Sequence, residues 1–289
     1  MLKHYLSLIK FSHTVFALPF ALVGFFLGIT ARPDGFSWRL LGLVLLCMVF
    51  ARSAAMAFNR WLDRDIDAVN PRTNRREIPA GVIPARSALV FVVVMCLLFV
   101  TTTWFINPLC FYLSPVALAV VLGYSYTKRF TWLCHFVLGL GLALAPVGAY
   151  LAATGHFGLA SVLYGLAVLT WTAGFDIIYA LQDESFDQEH QLYSVPSWLG
   201  RLRALRVSEW LHLVTAILMI TALRRAGYET QGATQWVAWI GTALFLALLV
   251  YQHLLVRPND LSRVNLAFFT TNGVASVIFG TLMVADLLL

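Results

Sequence analysis

The chain has 289 residues, of which 60% are hydrophobic and only 12% are Asp, Glu, Lys or Arg, with a net charge of +6. Soluble domains carry about 25% charged residues; half that cannot cover a water-facing surface, so the composition describes an integral membrane protein and excludes a disordered, collagen-like or disulfide-stapled chain. The basic residues lie in short loops between apolar runs and not in one patch, which argues against a nucleic-acid partner and for an orienting role at a lipid membrane.

A spanning helix needs about 20 apolar residues. In chain order the segments 11–30, 39–59, 87–106, 109–127, 132–154, 158–182, 207–223, 232–256 and 264–285 meet that need. The expected fold is therefore all-α, a polytopic bundle of about nine transmembrane helices forming one domain over 1–289. The first segment follows Lys3 and Lys10 but has no small-x-small cleavage site, so it reads as a retained helix and not a signal peptide. Ser87 to Thr127 is 41 residues without a charge. As one helix it would run about 62 Å, roughly twice the hydrocarbon core. It must turn back, and Asn107-Pro108 is the place. Phe130 to Phe175 is a second charge-free run, broken at Gly155-His156-Phe157-Gly158. The seventh segment is the weakest, because Glu209 intrudes and Arg224 follows closely. The four cysteines all sit in apolar stretches without metal or redox spacing, and read as small packing residues. Lys and Arg number fifteen on the N-terminal side of the alternating loops against four on the other. That bias places the N-terminus and the long loops in the cytoplasm.

Two short segments on that side concentrate the acids. Where the second helix ends the chain reads Asn59-Arg-Trp-Leu-Asp63-Arg-Asp65-Ile-Asp67; where the sixth ends it reads Asp176-Ile-Ile-Tyr179-Ala-Leu-Gln182-Asp183-Glu184-Ser-Phe-Asp187. Asn59, Asp63 and Asp67 are spaced i, i+4, i+8, as are Tyr179, Asp183 and Asp187, so each set forms one stripe on a helix. The two sets are offset by 120 residues, the mark of a weak internal repeat. Solvated helix ends explain Asp65, Glu184 and Glu189. They do not explain Asp176, about two turns inside an apolar helix, or Arg52 at similar depth on the stripe of Asn59, because charges at membrane depth cost about 2.5–3.5 kcal/mol each and face interior cavities. Two acidic helix ends facing one another need a cation between them, and Asp and Asn oxygens suit a hard ion such as Mg2+. Arg72, Arg75 and Arg76, with Lys128 and Arg129, ring the acids. Metal-binding acids among cations fit a metal-bound polyanion such as a diphosphate. The same cations also serve as membrane anchors, the reading preferred for Arg86, Arg201, Arg203 and Arg206.

Asn59-x3-Asp63-x3-Asp67, Tyr124-x3-Lys128 and Tyr179-Ala-x-Gln182-Asp183-x3-Asp187 resemble the signature motifs of the UbiA superfamily of intramembrane prenyltransferases, and the helix count agrees over the whole chain. The resemblance implies an enzyme that moves a polyprenyl chain from polyprenyl diphosphate onto an acceptor. Asn59, Asp63, Asp67, Asp183 and Asp187 would bind Mg2+, with Asp176 in support. Lys128, Tyr124, Tyr179, Arg72 and Arg76 would serve the diphosphate. Lys10-Phe-Ser-His13, Arg76-Glu-Ile-Pro-Ala-Gly81 and Tyr193-Ser-Val-Pro-Ser-Trp-Leu-Gly200 look like the 4-hydroxybenzoate-polyprenyltransferase-like group of quinone synthesis, implying an aromatic carboxylate acceptor. The second motif departs from ubiquinone-pathway members, which end it with a run of acids, and this brings a dihydroxynaphthoate of a menaquinone route level with 4-hydroxybenzoate. Arg52, Lys10 or His13 would meet the acceptor carboxylate; the other histidines form no cluster and receive no role. A haem- or chlorophyll-type prenyl transfer stands behind both.

A cation transporter is the rival from another class, and a lipid-binding scaffold a third. Against the transporter, the acids gather at one face, and only Asp34 and Glu229 stand in loops on the other.

Overall fold

The computed structural model describes residues 2–9, 16–32, 35–230 and 236–289. Its helices are α1 (Leu2–Leu8), α2 (Leu18–Thr30), α3 (Trp38–Leu62), α4 (Arg64–Val69), α5 (Ala85–Trp104), α6 (Pro108–Thr127), α7 (Cys134–Thr154), α8 (Leu159–Ala180), α9 (Glu184–Glu189), α10 (Val195–Glu229), α11 (Trp236–Leu255) and α12 (Asn272–Leu288). Among the described residues eight helical stretches are long and apolar enough to cross a membrane, and α2 is a shorter apolar helix. The count of nine is thus approximate, while the all-helical membrane bundle stands.

Local chemistry sets the boundaries. Ser37 caps α3 by accepting from Leu40 N at 3.3 Å, satisfying one of the free N–H groups of a helix start. Asn107 turns α5 back into α6: its Oδ1 accepts from Cys110 N at 2.8 Å, and its Nδ2 donates to Leu151 O at 3.0 Å, pinning the hairpin to α7. Gly155 ends α7 with φ at 75°, a left-handed conformation that costs a side-chain-bearing residue about 1–2 kcal/mol. The segment expected at 207–223 is far longer. A reciprocal Ser194–Ser197 capping box starts α10 at Val195, and Gly200 (φ 75°, ψ 166°) kinks it before the long membrane stretch. The polar run Arg201 to Glu209 obscured that start, because those charges sit on the exposed side of a helix whose other face is buried.

The bundle centres on α8, which packs between α7 and α10. Trp171, Tyr164, Phe20, Phe245 and Phe279 form the aromatic core around it. In lipid there is little hydrophobic force between helices, so close approach and packing hold them together. Gly139 of α7 lets Leu169 of α8 in, since a Cβ would stand 2.4 Å from Leu169 O. Gly24 of α2 does the same for α7, where a Cβ would stand 2.1 Å from Pro146 O.

Candidate active site

Each acidic motif straddles a helix break. The ladder of α3 ends at Leu62, Asp63 turns the chain, and α4 begins at Arg64. Asp63 N still donates to Asn59 O at 2.9 Å, and Asp67 N to Asp63 O at 2.7 Å, so the three side chains keep the expected stripe across the bend. The second motif bends likewise, from α8 through a 3-10 turn at Leu181–Asp183 into α9.

Asn59, Asp63 and Asp67 then meet Asp176, Tyr179 and Asp183 around one cavity of about 690 Å3, with Arg52, Arg72, Arg76, Tyr124 and Lys128 also in its wall. Asp187 is fully buried one layer behind. Lys10 and His13 lie outside the described residues. Leu138, Leu142, Phe175, Phe268 and Phe269 make the apolar part of the wall, and Phe268 stacks on Tyr179 with ring centres 4.1 Å apart. Phe268 and Phe269 sit on a π-helical turn, Leu266–Thr271, leading into α12; such turns recur at functional sites.

The repulsion expected between the two acidic helix ends is relieved by the protein's own cations, one for each of Asp63, Asp67, Asp183 and Asp187. Asp63 Oδ1 accepts from Arg129 at 2.8 Å. Asp67 takes both oxygens to Arg76, at 2.7 and 2.8 Å. Arg72 donates from Nε to Asp183 Oδ1 at 2.9 Å, from a second nitrogen to Oδ2, and from the third to the Tyr179 hydroxyl at 2.9 Å. Lys128 Nζ lies 2.7 Å from Asp187 Oδ1, and Ser194 donates to Oδ2 at 2.9 Å. Buried carboxylates left alone cost several kcal/mol each, which is why every one is matched. Burial pushes the Asp63 carboxyl above its ordinary range, with Arg129 pulling against it. Burial opposes the charged form of Lys128 too, but the Asp187 carboxylate more than offsets it and holds the ammonium above its usual pKa. For Arg72 the bonds to Asp183 outweigh burial in the same way.

Asp176 has a different partner. His135 Nδ1 stands 2.7 Å from Asp176 Oδ2, and Val195 N donates to His135 Nε2 at 3.2 Å. The expectation that His135 belongs to no cluster is therefore corrected. So is that for His212 and His253, whose rings bond at 2.8 Å behind α8. No local spacing gives either pair away, since each joins residues 41 apart. Asn70, whose amide reaches Asp183 at 3.4 Å, and Ser194 were equally invisible as contacts, although Ser194 lies inside a segment that carried the resemblance. The Arg52 Nε and the Thr172 hydroxyl are buried without hydrogen-bond partners beside the same cavity.

The donor set of the acids is all oxygen, from four carboxylates and the Asn59 amide, which suits a hard divalent ion. With the carboxylates pinned to Arg and Lys, no group of three acidic, His or Cys side chains among the described residues is poised to hold one.

The UbiA prenyltransferase family model matches residues 17–274. A 4-hydroxybenzoate octaprenyltransferase of Tolumonas auensis is 30% identical over 257 residues, 84% of this chain and 83% of that protein. The apo structure of a UbiA homolog from Aeropyrum pernix K1 superposes with a TM-score of 0.84 at 33% identity, over 95% of this chain and 98% of that one. A UbiA homolog from Archaeoglobus fulgidus bound to GPP and Mg2+ shares the fold, with a TM-score of 0.74 at 22% identity over 99% of this chain and 100% of that one.

Proposed function

The chain belongs to the UbiA prenyltransferase family, and from that premise we propose that it transfers a polyprenyl chain from polyprenyl diphosphate to an aromatic carboxylate of the 4-hydroxybenzoate type. The product serves quinone (ubiquinone or menaquinone) synthesis. The site works at the cytoplasmic face of a bacterial inner membrane, with the N-terminus inside and one catalytic domain over 1–289.

The carrying observation is three acid–base pairs that line one cavity, with a fourth, Lys128–Asp187, backing it and aromatic residues in the rest of the wall. Paired as they are, the acids and bases neutralise each other. Asn59, Asp63, Asp67, Asp183 and Asp187 would hold Mg2+, and Arg72, Arg76 and Lys128 would donate to the phosphate oxygens of the diphosphate, each set released from the other. When bound, Mg2+ supplies Lewis-acid stabilisation of the charge that builds on the leaving diphosphate. Tyr124 packs beside them, and Arg52 receives the acceptor carboxylate with its unused Nε. Tyr179, Phe175, Phe268 and Phe269 line the cavity, where aromatic rings favour an allylic cation, and the apolar wall keeps water from capturing it.

A dihydroxynaphthoate acceptor is the second reading, on a specific ground: the second motif lacks a run of acids facing the cavity. Glu184 is instead tied to Arg201 at 2.6 Å. Prenyl transfer in membranes bearing this chain, with labelled polyprenyl diphosphate, Mg2+ or EDTA, and either acceptor, tests both readings. Mg2+-dependent product with one acceptor supports the class and picks the branch. No product with either rules out both acceptors.

A further inference from the structure

Of the aspartates in the two motif regions, Asp176 alone among the described residues has no Arg or Lys within ion-pair distance; its partner is a histidine. The hydrogen-bond network sets the form of that histidine. Val195 is the first residue of α10, so its N–H has no partner within the helix, and it donates to His135 Nε2 at 3.2 Å. A nitrogen that accepts carries no proton. That leaves Nδ1 to donate to Asp176 Oδ2, 2.7 Å away. The ring is 2% exposed and cannot turn to solvent. The result is an oriented carboxylate, facing the cavity, with one oxygen unused by His135 and, among the described residues, no Arg or Lys within ion-pair distance.

Thr172, Asp176, Tyr179 and Asp183 follow one stripe of α8 and its extension, and Asp176 lies about 10 Å of helix rise below Asp183. It therefore sits below the acids assigned to the diphosphate, in the same cavity wall as Arg52, the residue proposed to receive the acceptor carboxylate. Among the described residues, Arg52 of α3, Tyr124 of α6 and Asp63 are charged or titratable groups in the same wall.

Prenylation of a ring carbon leaves one proton to be removed. We infer that Asp176, positioned by His135, accepts it; this rests on the reading that the acceptor is aromatic. The allylic C–O bond breaks with its electron pair leaving on diphosphate. A ring π pair then forms the new C–C bond. The proton on the attacked carbon passes to the free oxygen of Asp176, and the C–H pair restores aromaticity. Asp176 releases its proton to water as the product leaves. Asp176 is the catalytic residue of this step and His135 its positioning residue.

The test uses the full chain in lipid nanodiscs with Mg2+, polyprenyl diphosphate, and an acceptor carrying protium or deuterium at the attacked carbon. Diphosphate, prenylated ring and free prenol are measured together. Wild type should couple diphosphate release to ring product. Asp176→Asn should cut ring product by about 100-fold or more, reveal a deuterium isotope effect, and divert turnover to prenol while diphosphate release continues. That continued release also shows the variant is folded. His135→Leu should move the acid limb of the product rate to higher pH, because the carboxylate loses the donor that favours its charged form. His135→Gln, which keeps an N–H donor, should restore it. If diphosphate release and ring product fall in step without an isotope effect, or if Asp176→Asn keeps normal product, the inference is wrong. Wild type that releases diphosphate but prenylates no aromatic acceptor would overturn the aromatic reading itself, and the inference with it.

Discussion

Replacing Arg72 with alanine separates the resting role of the cations from their role toward substrate. Arg72 makes two bonds to Asp183 and one to the Tyr179 hydroxyl, and its guanidinium lies 5.3 Å from the Tyr179 ring centre. Asp183 is 8% exposed, and without Arg72 it keeps the Asn70 amide at 3.4 Å as its remaining direct bond. At 2.9 Å and an effective dielectric of about 20, the lost attraction is about 6 kcal/mol before desolvation is counted. Breaking buried pairs costs about 3–5 kcal/mol in practice. Because the Arg72 side chain is 32% exposed, solvent screening brings the expected loss to about 2–3 kcal/mol. The purified variant should therefore melt several degrees below wild type in metal-free buffer. Mg2+ should reverse more of that loss than it adds to wild type, since the freed Asp183 carboxylate is a ligand with no competitor. Turnover should still fall about 100-fold, for want of a donor to the leaving diphosphate. Melting of both proteins with EDTA and with graded Mg2+, beside prenyl-transfer rates, checks this. If Mg2+ stabilises the variant no more than wild type, Asp183 is not a metal ligand and the exchange of partners is refuted.

Asp63→Ala and Asp183→Ala should each lower turnover at least 100-fold while leaving the protein in the membrane fraction; near-normal rates in both would remove the aspartates from the mechanism. The Lys128–Asp187 pair predicts a pH dependence: because Asp187 raises the Lys128 pKa in the fold, the pair's contribution is whole below the unfolded lysine value of about 10.4 and is lost as pH climbs through the folded one. Melting temperature should show no Lys128-dependent decline between pH 7 and 9, and Lys128→Gln should remove part of the alkaline decline; a decline unchanged by the substitution counts against the pair. Gly24→Ala drives a Cβ to 2.1 Å from Pro146 O, and overpacking of this kind costs about 1–3 kcal/mol. A lowered melting temperature, read by heating detergent-solubilised protein, is expected, and an unchanged one would mean that α2 and α7 can separate freely.

Much of the architecture was readable from charge-free run lengths, because a lipid core of fixed thickness forces a 41-residue apolar run to turn back, and Asn107-Pro108 marks where. Reading was weakest for α10, where exposed charges mask a buried face, and at α2, whose described helix is only 13 residues. The site residues were legible wherever helical spacing put them on one stripe: Asn59, Asp63, Asp67, Tyr179 and Asp183 all reach the same cavity. Asp187 keeps the spacing but is buried behind Lys128, a matter of layer that spacing does not encode.

Composition and periodicity thus suffice for a membrane helix bundle with two acidic motifs, since both follow from interactions between near neighbours in sequence and from the thickness of the lipid. Which cation holds which aspartate did not follow from them. Arg72 reaches Asp183 across 111 residues, Arg129 turns to Asp63 while its neighbour Lys128 turns to Asp187, and His135 finds Asp176 between separate helices. Those choices depend on helix breaks at Asp63 and Asp183 and on how α7 and α8 dock through Gly139. Long-range packing sets them, and no one-dimensional pattern records it.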